Sequence, residues 1–293
     1  MLRATLVLVT VVIITLVLLP FQWLSVKLRL PTRRAIPVFY HGIVHALLGV
    51  RIRVVGRRMQ EHPLLIVSNH VSWLDISVIT ALAPVVFVAK REVATWPVFG
   101  LLAKLQRSVF VDRSRRYKTQ EVNSEIAQRL AEGDPVVLFG EGTSSDGNRV
   151  LPFRTALIGA ARDALAEAEH AKRVWIQPLS IAYIRLFGLP LGRQHRPLVA
   201  WYGGSPLWPH LLGIARRGGI DVVVTWGEPV AFDETSDRKS VARSLETTVR
   251  RLTIEAMRGP VAARRQPTAP PMPAFLFSDK SAKTSQNPRA STR

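Results

Sequence analysis

Hydrophobic positions along the chain form runs of three kinds. The first, Ala4 to Val26, contains no charged residue and is rich in Leu, Val and Ile. It is long enough to cross a hydrocarbon layer and predicts a helical membrane anchor, kinked or ended early at Pro20, with Phe21 and Trp23 in the interfacial zone. The second, Ile36 to Val54, mixes apolar residues with His41, His45, Arg51 and Arg53. That mixture predicts an amphipathic stretch lying against a bilayer rather than crossing it. The third kind recurs through the body of the chain. Short apolar runs at Leu64 to Val67, Val85 to Ala89, Val109 to Val111, Val136 to Phe139, Trp175 to Tyr183, Leu198 to Tyr202 and Asp221 to Trp226 read as strands. They alternate with helical patterns at Trp73 to Leu82, Trp96 to Leu105, Tyr117 to Ala131, Leu157 to Ala168 and Ser240 to Met257. This alternation predicts an α/β fold, a largely parallel sheet layered with helices. Pro178 inside its run predicts an edge strand or the end of a strand.

The organisation follows from these runs: an anchor with a basic flank over residues 1–34, an α/β domain over 35–258, and a tail over 259–293. The tail is rich in Pro, Ser, Thr, Lys and Arg with Asp279 its one acidic residue, which predicts disorder. A signal peptide is the alternative reading of the first run. The run is longer than a usual signal core, however, and no small-x-small cleavage site follows it. Lys27, Arg29, Arg33 and Arg34 outweigh Arg3 and the amino terminus, which places the domain on the cytoplasmic side. A net charge of +19 points to an acidic partner surface: nucleic acid, anionic lipid headgroups or an acidic carrier protein. Without interleaved aromatic and basic residues or a recognised motif, nucleic acid is the least supported of these. The absence of cysteine excludes disulfides, a thiolate nucleophile and cysteine-ligated metal.

Candidate chemistry gathers at L-L-I-V-S-N-H-V-S-W-L-D, Leu64 to Asp75. His70 falls at a strand-to-helix corner, where open α/β sheets place their ligands. With Asp75 in the first helical turn, the carboxylate can fold back to the ring, fix its tautomer and leave the other nitrogen to take a proton from a hydroxyl. The same residues support plainer readings: Ser72-x-x-Asp75 is also a capping box, and a lone histidine beside a strand can be structural. A metal site from His62, His70 and Asp75 lacks any accompanying metal motif. Further on, Val136 to Phe139 runs into Gly140-Glu141-Gly142-Thr143-Ser144, where glycines let amides approach an anion and hydroxyls add donors; a tight turn explains the same glycines. Arg113 ends another strand beside Arg115, Arg116 and Lys118, as a phosphate clamp or a solvated basic loop.

Taken in order, N-H-V-S-W-L-D, V-F-V-D-R, F-G-E-G-T-S and I-Q-P-L resemble the four blocks of the glycerolipid acyltransferases, most closely the 1-acyl-sn-glycerol-3-phosphate acyltransferases. The resemblance covers roughly Leu64 to Leu179. It implies an acyltransferase domain at a membrane surface, with His70 and Asp75 as catalytic dyad, Arg113 on the acceptor's headgroup, Glu141, Gly142, Thr143 and Ser144 around its pocket, and Pro178 near the acyl donor. Gly140 stands where the family usually has proline, and Ser144 where it usually has arginine. The run S-S-D-G-N-R-V-L-P-F-R also resembles the bacterial lyso-ornithine lipid acyltransferases, whose acceptor carries an amino-acid headgroup.

The expectation is therefore an O-acyltransferase moving a fatty acyl group from acyl-CoA or acyl-carrier protein to the free hydroxyl of a membrane lyso-lipid. The acceptor favoured by the matching blocks is 1-acyl-sn-glycerol-3-phosphate, and the alternative is lyso-ornithine lipid. No bound cofactor or metal is expected, since the donor is a substrate. From a different class, a non-catalytic anchored protein that binds anionic lipid also fits the charge.

Overall fold

The computed structural model describes residues 2–111, 119–154 and 173–258, with residues 119–121 as backbone alone. Helices α1 (Leu2–Lys27) and α2 (Thr32–Leu48) lead into strand β1 (Val50–Val55). There follow β2 (Leu64–Ser68), α3 (Leu74–Leu82), β3 (Val86–Lys90), α4 (Phe99–Leu105), β4 (Val109–Val111), α5 (Thr119–Ala131) and β5 (Val136–Phe139). The last part comprises β6 (Val174–Leu186), β7 (Leu189–Pro190), α6 (Leu207–Arg217), β8 (Ile220–Trp226), β9 (Val230–Phe232) and α7 (Arg238–Arg258).

The strands form one sheet in the order β1-β8-β6-β2-β5-β3-β4, with β7 and β9 also pairing with β6. Pairings β1–β8, β2–β5, β2–β6, β3–β5 and β3–β4 are parallel, whereas β6 meets β7, β8 and β9 antiparallel. Strand β2 lies inside the sheet and is buried along its whole length. Its side chains alternate between two cores. Leu64 and Ile66 join Val44, Leu48, Leu74, Val78 and Ile214 on the α2/α3/α6 face. Leu65 and Val67 join Ile126, Leu130, Leu245 and Val249 on the α5/α7 face. Helices thus cover both faces, as a parallel sheet requires, and the free carboxyl end of β2 is left pointing into the loops that carry the candidate chemistry.

Several sequence expectations change. Ile36 to Val54 is not one amphipathic stretch: Gly49, at φ +72, ends α2 and turns the chain into β1, which pairs with β8. Leu198 to Tyr202 is not a strand. Pro197 has no N–H to give a ladder, and the amides of Val199 and Ala200 close a 3₁₀ turn on the Arg196 carbonyl. Pro178 sits in a central strand rather than at an edge. Its missing N–H falls where β6 changes partner, between the β9 pairing at Val174–Ile176 and the β8 pairing from Leu179 onward. The Gly227 amide bonds the Pro178 carbonyl at that junction. The helix expected at Leu157 to Ala168 and the tail from Gly259 lie outside the described residues.

Helix α1 packs along α2 and α6 through its polar residues. The Arg3 guanidinium donates to the carbonyls of Ala215 and Leu48, Thr15 Oγ1 meets Tyr40 Oη at 2.9 Å, and Gln22 Nε2 donates to the Leu105 carbonyl at 2.9 Å. Its exposed residues are mostly apolar, among them Leu2, Leu6, Val9, Val12, Ile13, Leu16, Val17 and Phe21, with Thr5 and Lys27 the polar exceptions. This is the reverse of a soluble amphipathic helix.

Candidate active site

The main chain leaves the sheet at Asn69. The Asn69 Nδ2 donates to the Ile181 carbonyl at 2.9 Å and the Ile181 amide donates to Asn69 Oδ1 at 2.8 Å, so a side chain takes over the pairing with β6 that backbone provided up to Ser68. His70 follows immediately, beyond the strand's carboxyl end. Helix α3 opens at Leu74, and Asp75 in its first turn folds back toward the chain that precedes it. Its Oδ2 accepts the amides of Val71 at 2.6 Å and Ser72 at 2.9 Å, and faces His70 Nδ1 at 2.9 Å. Its Oδ1 accepts the Tyr183 hydroxyl at 2.7 Å. The carboxylate that ties down the two amides preceding the helix therefore also holds the imidazole. The reciprocal capping box of Ser72 and Asp75 is not formed: Ser72 gives its amide to Asp75, its Oγ is buried without a partner, and the N-cap position, Trp73, makes no side-chain cap bond.

Asp75 is wholly buried, whereas the His70 side chain keeps 17% of its surface exposed. An ionised carboxylate can only accept, so Nδ1 carries the proton and Nε2 is left with its lone pair. The ring lies flat on Phe139, with centroids 3.9 Å apart and planes 16° from parallel, and this stacking fixes its rotation. Burial, then the neighbouring Asp75 charge, raises the Tyr183 hydroxyl well above its ordinary pKa, so it remains a donor.

The loop after β5 grips the His70 backbone. Glu141 Oε1 accepts the His70 amide at 3.0 Å, and Ser145 donates to the His70 carbonyl from its amide at 2.9 Å and from its hydroxyl at 3.2 Å. Glu141 is buried, its Oε2 has no partner, and burial pushes its carboxyl up to about 8. Gly140 donates its amide to the Ser68 carbonyl at 2.9 Å, which proline could not do, and a Cβ there would meet the Phe153 ring at 2.6 Å. Gly142, at φ +69, turns the chain and bonds the Phe139 carbonyl through its amide. Thr143 is exposed and Ser144 half-buried at the loop's tip.

Of the residues singled out in the sequence, the fold brings His70, Asp75, Glu141 and Gly142 together and leaves Thr143 and Ser144 on the accessible side of the same loop. Arg113 lies outside the described residues. The metal alternative fails on placement. His62 precedes β2 and His70 follows it, so a five-residue strand, about 17 Å at 3.3 Å per residue, separates them. Sequence reasoning missed Asn69 as a strand-end clip and Tyr183 as the second holder of Asp75. Tyr183 carries no local signal, because it reaches the site through pairing of distant strands.

A mixed sheet whose central strand ends in a histidine held by a buried aspartate places a proton acceptor at an open corner of the fold, and comparison with known proteins gives the class of the chain. The acyltransferase family model matches residues 51–182. The chain is 53% identical over 257 residues to the lyso-ornithine lipid O-acyltransferase of Brucella abortus, covering 88% of this chain and 96% of that protein. It is 38% identical over 137 residues to the 1-acyl-sn-glycerol-3-phosphate acyltransferase of Neisseria meningitidis, covering 46% and 52% respectively. The crystal structure of the 1-acyl-sn-glycerophosphate acyltransferase of Thermotoga maritima has the same fold, with TM-score 0.59 and 21% identity over 87% of this chain. The chain belongs to the acyltransferase family and is an O-acyltransferase.

Proposed function

We propose that this enzyme transfers a fatty acyl group from a thioester donor, acyl-carrier protein or acyl-CoA, to the free hydroxyl of lyso-ornithine lipid at a membrane surface. His70 Nε2 removes the hydroxyl proton, and Asp75 stabilises the imidazolium that forms. The alkoxide oxygen attacks the thioester carbonyl. Collapse of the tetrahedral intermediate expels the thiolate, which takes the proton back from His70, so no acyl-enzyme forms. The Gly142 amide is already bonded to Phe139, so the oxyanion contact falls to Thr143 and Ser144. No step calls for a metal or a bound cofactor.

The chemistry rests on the Asp75-held His70, and the acceptor rests on the extent of the match. Similarity to the lyso-ornithine enzyme runs along 88% of this chain, whereas similarity to the glycerophosphate enzyme stops at 46%. This reverses the order of acceptors favoured by the sequence blocks alone. Ser144, in place of the family's usual arginine, supports the reversal. The glycerophosphate acceptor is kept as the second reading, because the H-x-x-x-x-D and E-G-T blocks are shared by both branches.

The membrane reading rests on α1, with an inward polar edge, an outward apolar face and a length of 26 residues. It sits in the lipid with the basic flank Lys27 to Arg34 at the cytoplasmic surface, next to an anionic headgroup layer. Purified enzyme in detergent micelles, given either lyso-lipid with one acyl-carrier protein, decides the acceptor. Acylation of lyso-ornithine lipid is the expected outcome, and acylation of 1-acyl-glycerol-3-phosphate alone overturns this choice.

A further inference from the structure

The helices on the two faces of the sheet differ in what they leave exposed. Beyond α1, the α2/α3/α6 side exposes Val98 and Leu101 at α4 and Trp208 and Leu212 on α6, whereas on α5 and α7 Ile254 is the one large apolar residue exposed among the described residues. Helix α4 belongs to the first side, because Gln106 at its end donates to Thr80 Oγ1 of α3 at 2.7 Å. Helices α1, α4 and α6 also touch pairwise. Arg3 bonds the Ala215 carbonyl near the end of α6, Gln22 bonds the Leu105 carbonyl at the end of α4, and the openings of α4 and α6 meet through Phe99 and Trp208, with ring centroids 5.8 Å apart. That meeting point adjoins the dyad. Trp73, close after His70, donates its Nε1 to His210 Nδ1 at 3.0 Å, the Trp201 amide donates to the Val71 carbonyl at 2.9 Å, and Trp96 lies edge-on to Trp201 at 6.2 Å.

The turn that opens α4 is strained. Val98, at φ +64 and ψ −59, is the centre of a γ-turn closed by the Phe99 amide on the Pro97 carbonyl at 2.7 Å, a conformation a β-branched residue adopts only when its surroundings impose it. Gly100 imposes it: its amide bonds the Trp96 carbonyl at 2.9 Å, and a Cβ there would meet the Ala94 carbonyl oxygen at 2.5 Å. Yet Val98 packs into neither core and is 58% exposed, and Trp208 is 65% exposed. The exposed cations of the same segments are Lys90, Arg91, Lys104, Arg216 and Arg217, against Glu92 as the one carboxylate.

We propose that the Trp96–Phe99 turn, with Leu101, Trp208 and Leu212, is a second membrane contact, a lip that enters the headgroup layer beside the dyad so that the lyso-lipid acceptor reaches His70 without leaving the bilayer surface. The proposal rests on the membrane reading above. Its occupant is a lipid surface because the lip continues the apolar face of α1 and combines indoles with cations, as suits a membrane–water interface of anionic lipid. The seven residues of α4 span about 10 Å, which sets the turn that far from the Gln22 bond at the end of α1 that carries the basic flank.

The absence of cysteine allows single probes. Val98→Cys, Leu101→Cys and Trp208→Cys report on the lip, Ile13→Cys on α1, and Ser244→Cys on exposed α7. Each is labelled with a fluorophore and mixed with phosphatidylcholine–phosphatidylglycerol vesicles that carry a nitroxide at headgroup depth. The lip probes are expected to be quenched about twofold or more and the Ser244 probe hardly at all. Unquenched lip probes beside a quenched Ile13 probe overturn the lip while the α1 reading stands; quenching at neither overturns both. Lip probes shielded without vesicles, in proportion to protein concentration, would assign the surface to a second copy of the chain and overturn the lipid assignment. In turnover, Leu101→Ser with Trp208→Ser should slow acylation of vesicle-borne acceptor about fivefold or more and leave the rate in detergent micelles within about twofold; equal losses in both media overturn the lip. Val98→Gly covers a folding defect in that pair, since glycine suits the γ-turn. It should melt no lower than wild type in detergent and still bind vesicles more weakly, and unchanged vesicle binding overturns the role of the turn.

Discussion

Asp75 is buried against a neutral imidazole, so its carboxylate is held by the amides of Val71 and Ser72 and by the Tyr183 hydroxyl. Tyr183→Phe removes one donor and leaves Oδ1 unsatisfied in a dry site, a change worth about 1–3 kcal/mol. The expected result is a roughly tenfold lower kcat with acceptor KM little altered, together with a displaced acid limb of the pH–rate profile; an unmoved profile would make Tyr183 a packing residue only. Glu141 supplies a second prediction, this time on stability. Its folded pKa, about 8, lies above its ordinary value of 4.5, so the folded state holds the extra proton across that window. This contribution is therefore fully present below about pH 4.5 and is lost as pH rises through about 8, with a slope of at most about 1.4 kcal/mol per pH unit. Glu141→Gln keeps an oxygen for the His70 amide and removes the titration. Thermal melts from pH 5 to 8.5 should fall more steeply for the wild type than for the variant, and parallel curves would refute the buried-acid account.

At the level of elements, what the sequence revealed depended on range. The buried strands around Ile66 and Leu138 and the helix opening at Leu74 were legible because their apolar runs and breaks are local. So was the His70–Asp75 contact, because five residues separate its members at a corner that one strand and one helix define. Strand β1 was not, since Arg51 and Arg53 make it look like part of an amphipathic interfacial stretch, and its pairing with β8 is settled by residues some 170 positions away. Helix α6 was missed for a similar reason: Pro209 and Gly213 disguise a helix whose Ile214 and Ala215 are buried by tertiary packing. Gly140 shows the same dependence from the other side. The sequence marks it as a departure from proline, but only the fold shows Phe153 filling the space a side chain would need. Gly140→Ala should therefore cost about 1–3 kcal/mol by overpacking. The double variant with Phe153→Leu should recover part of that loss in a thermal melt, and additive losses would mean the clash is relieved elsewhere.

For the whole molecule, the question is whether α1 is a detachable tether or part of the domain. Its inward residues are built into the fold: Arg3 caps the carboxyl ends of α2 and α6, Thr15 bonds Tyr40, and Gln22 crosses to the end of α4. Its outward apolar residues are exposed, and water would be a poor solvent for so extended an apolar face. A lipid layer resolves both facts, because it rewards the outer face while the polar edge stays bonded inward. On the membrane placement proposed above, the dyad is held near the bilayer by packing rather than by a flexible link. Substitutions on the two edges should consequently fail in different ways. Ile13→Glu with Leu16→Glu, both outward, should leave melting in detergent nearly unchanged but sharply reduce flotation with anionic phospholipid vesicles. Gln22→Leu, on the inward edge, should lower the melting temperature while vesicle binding persists. Wild-type binding should also survive 1 M salt, because apolar burial is not screened while exposed charges are, within about 3 Å at that ionic strength. Release of the wild type by salt alone would mean that the basic surface, and not the outer face of α1, holds this enzyme to the membrane.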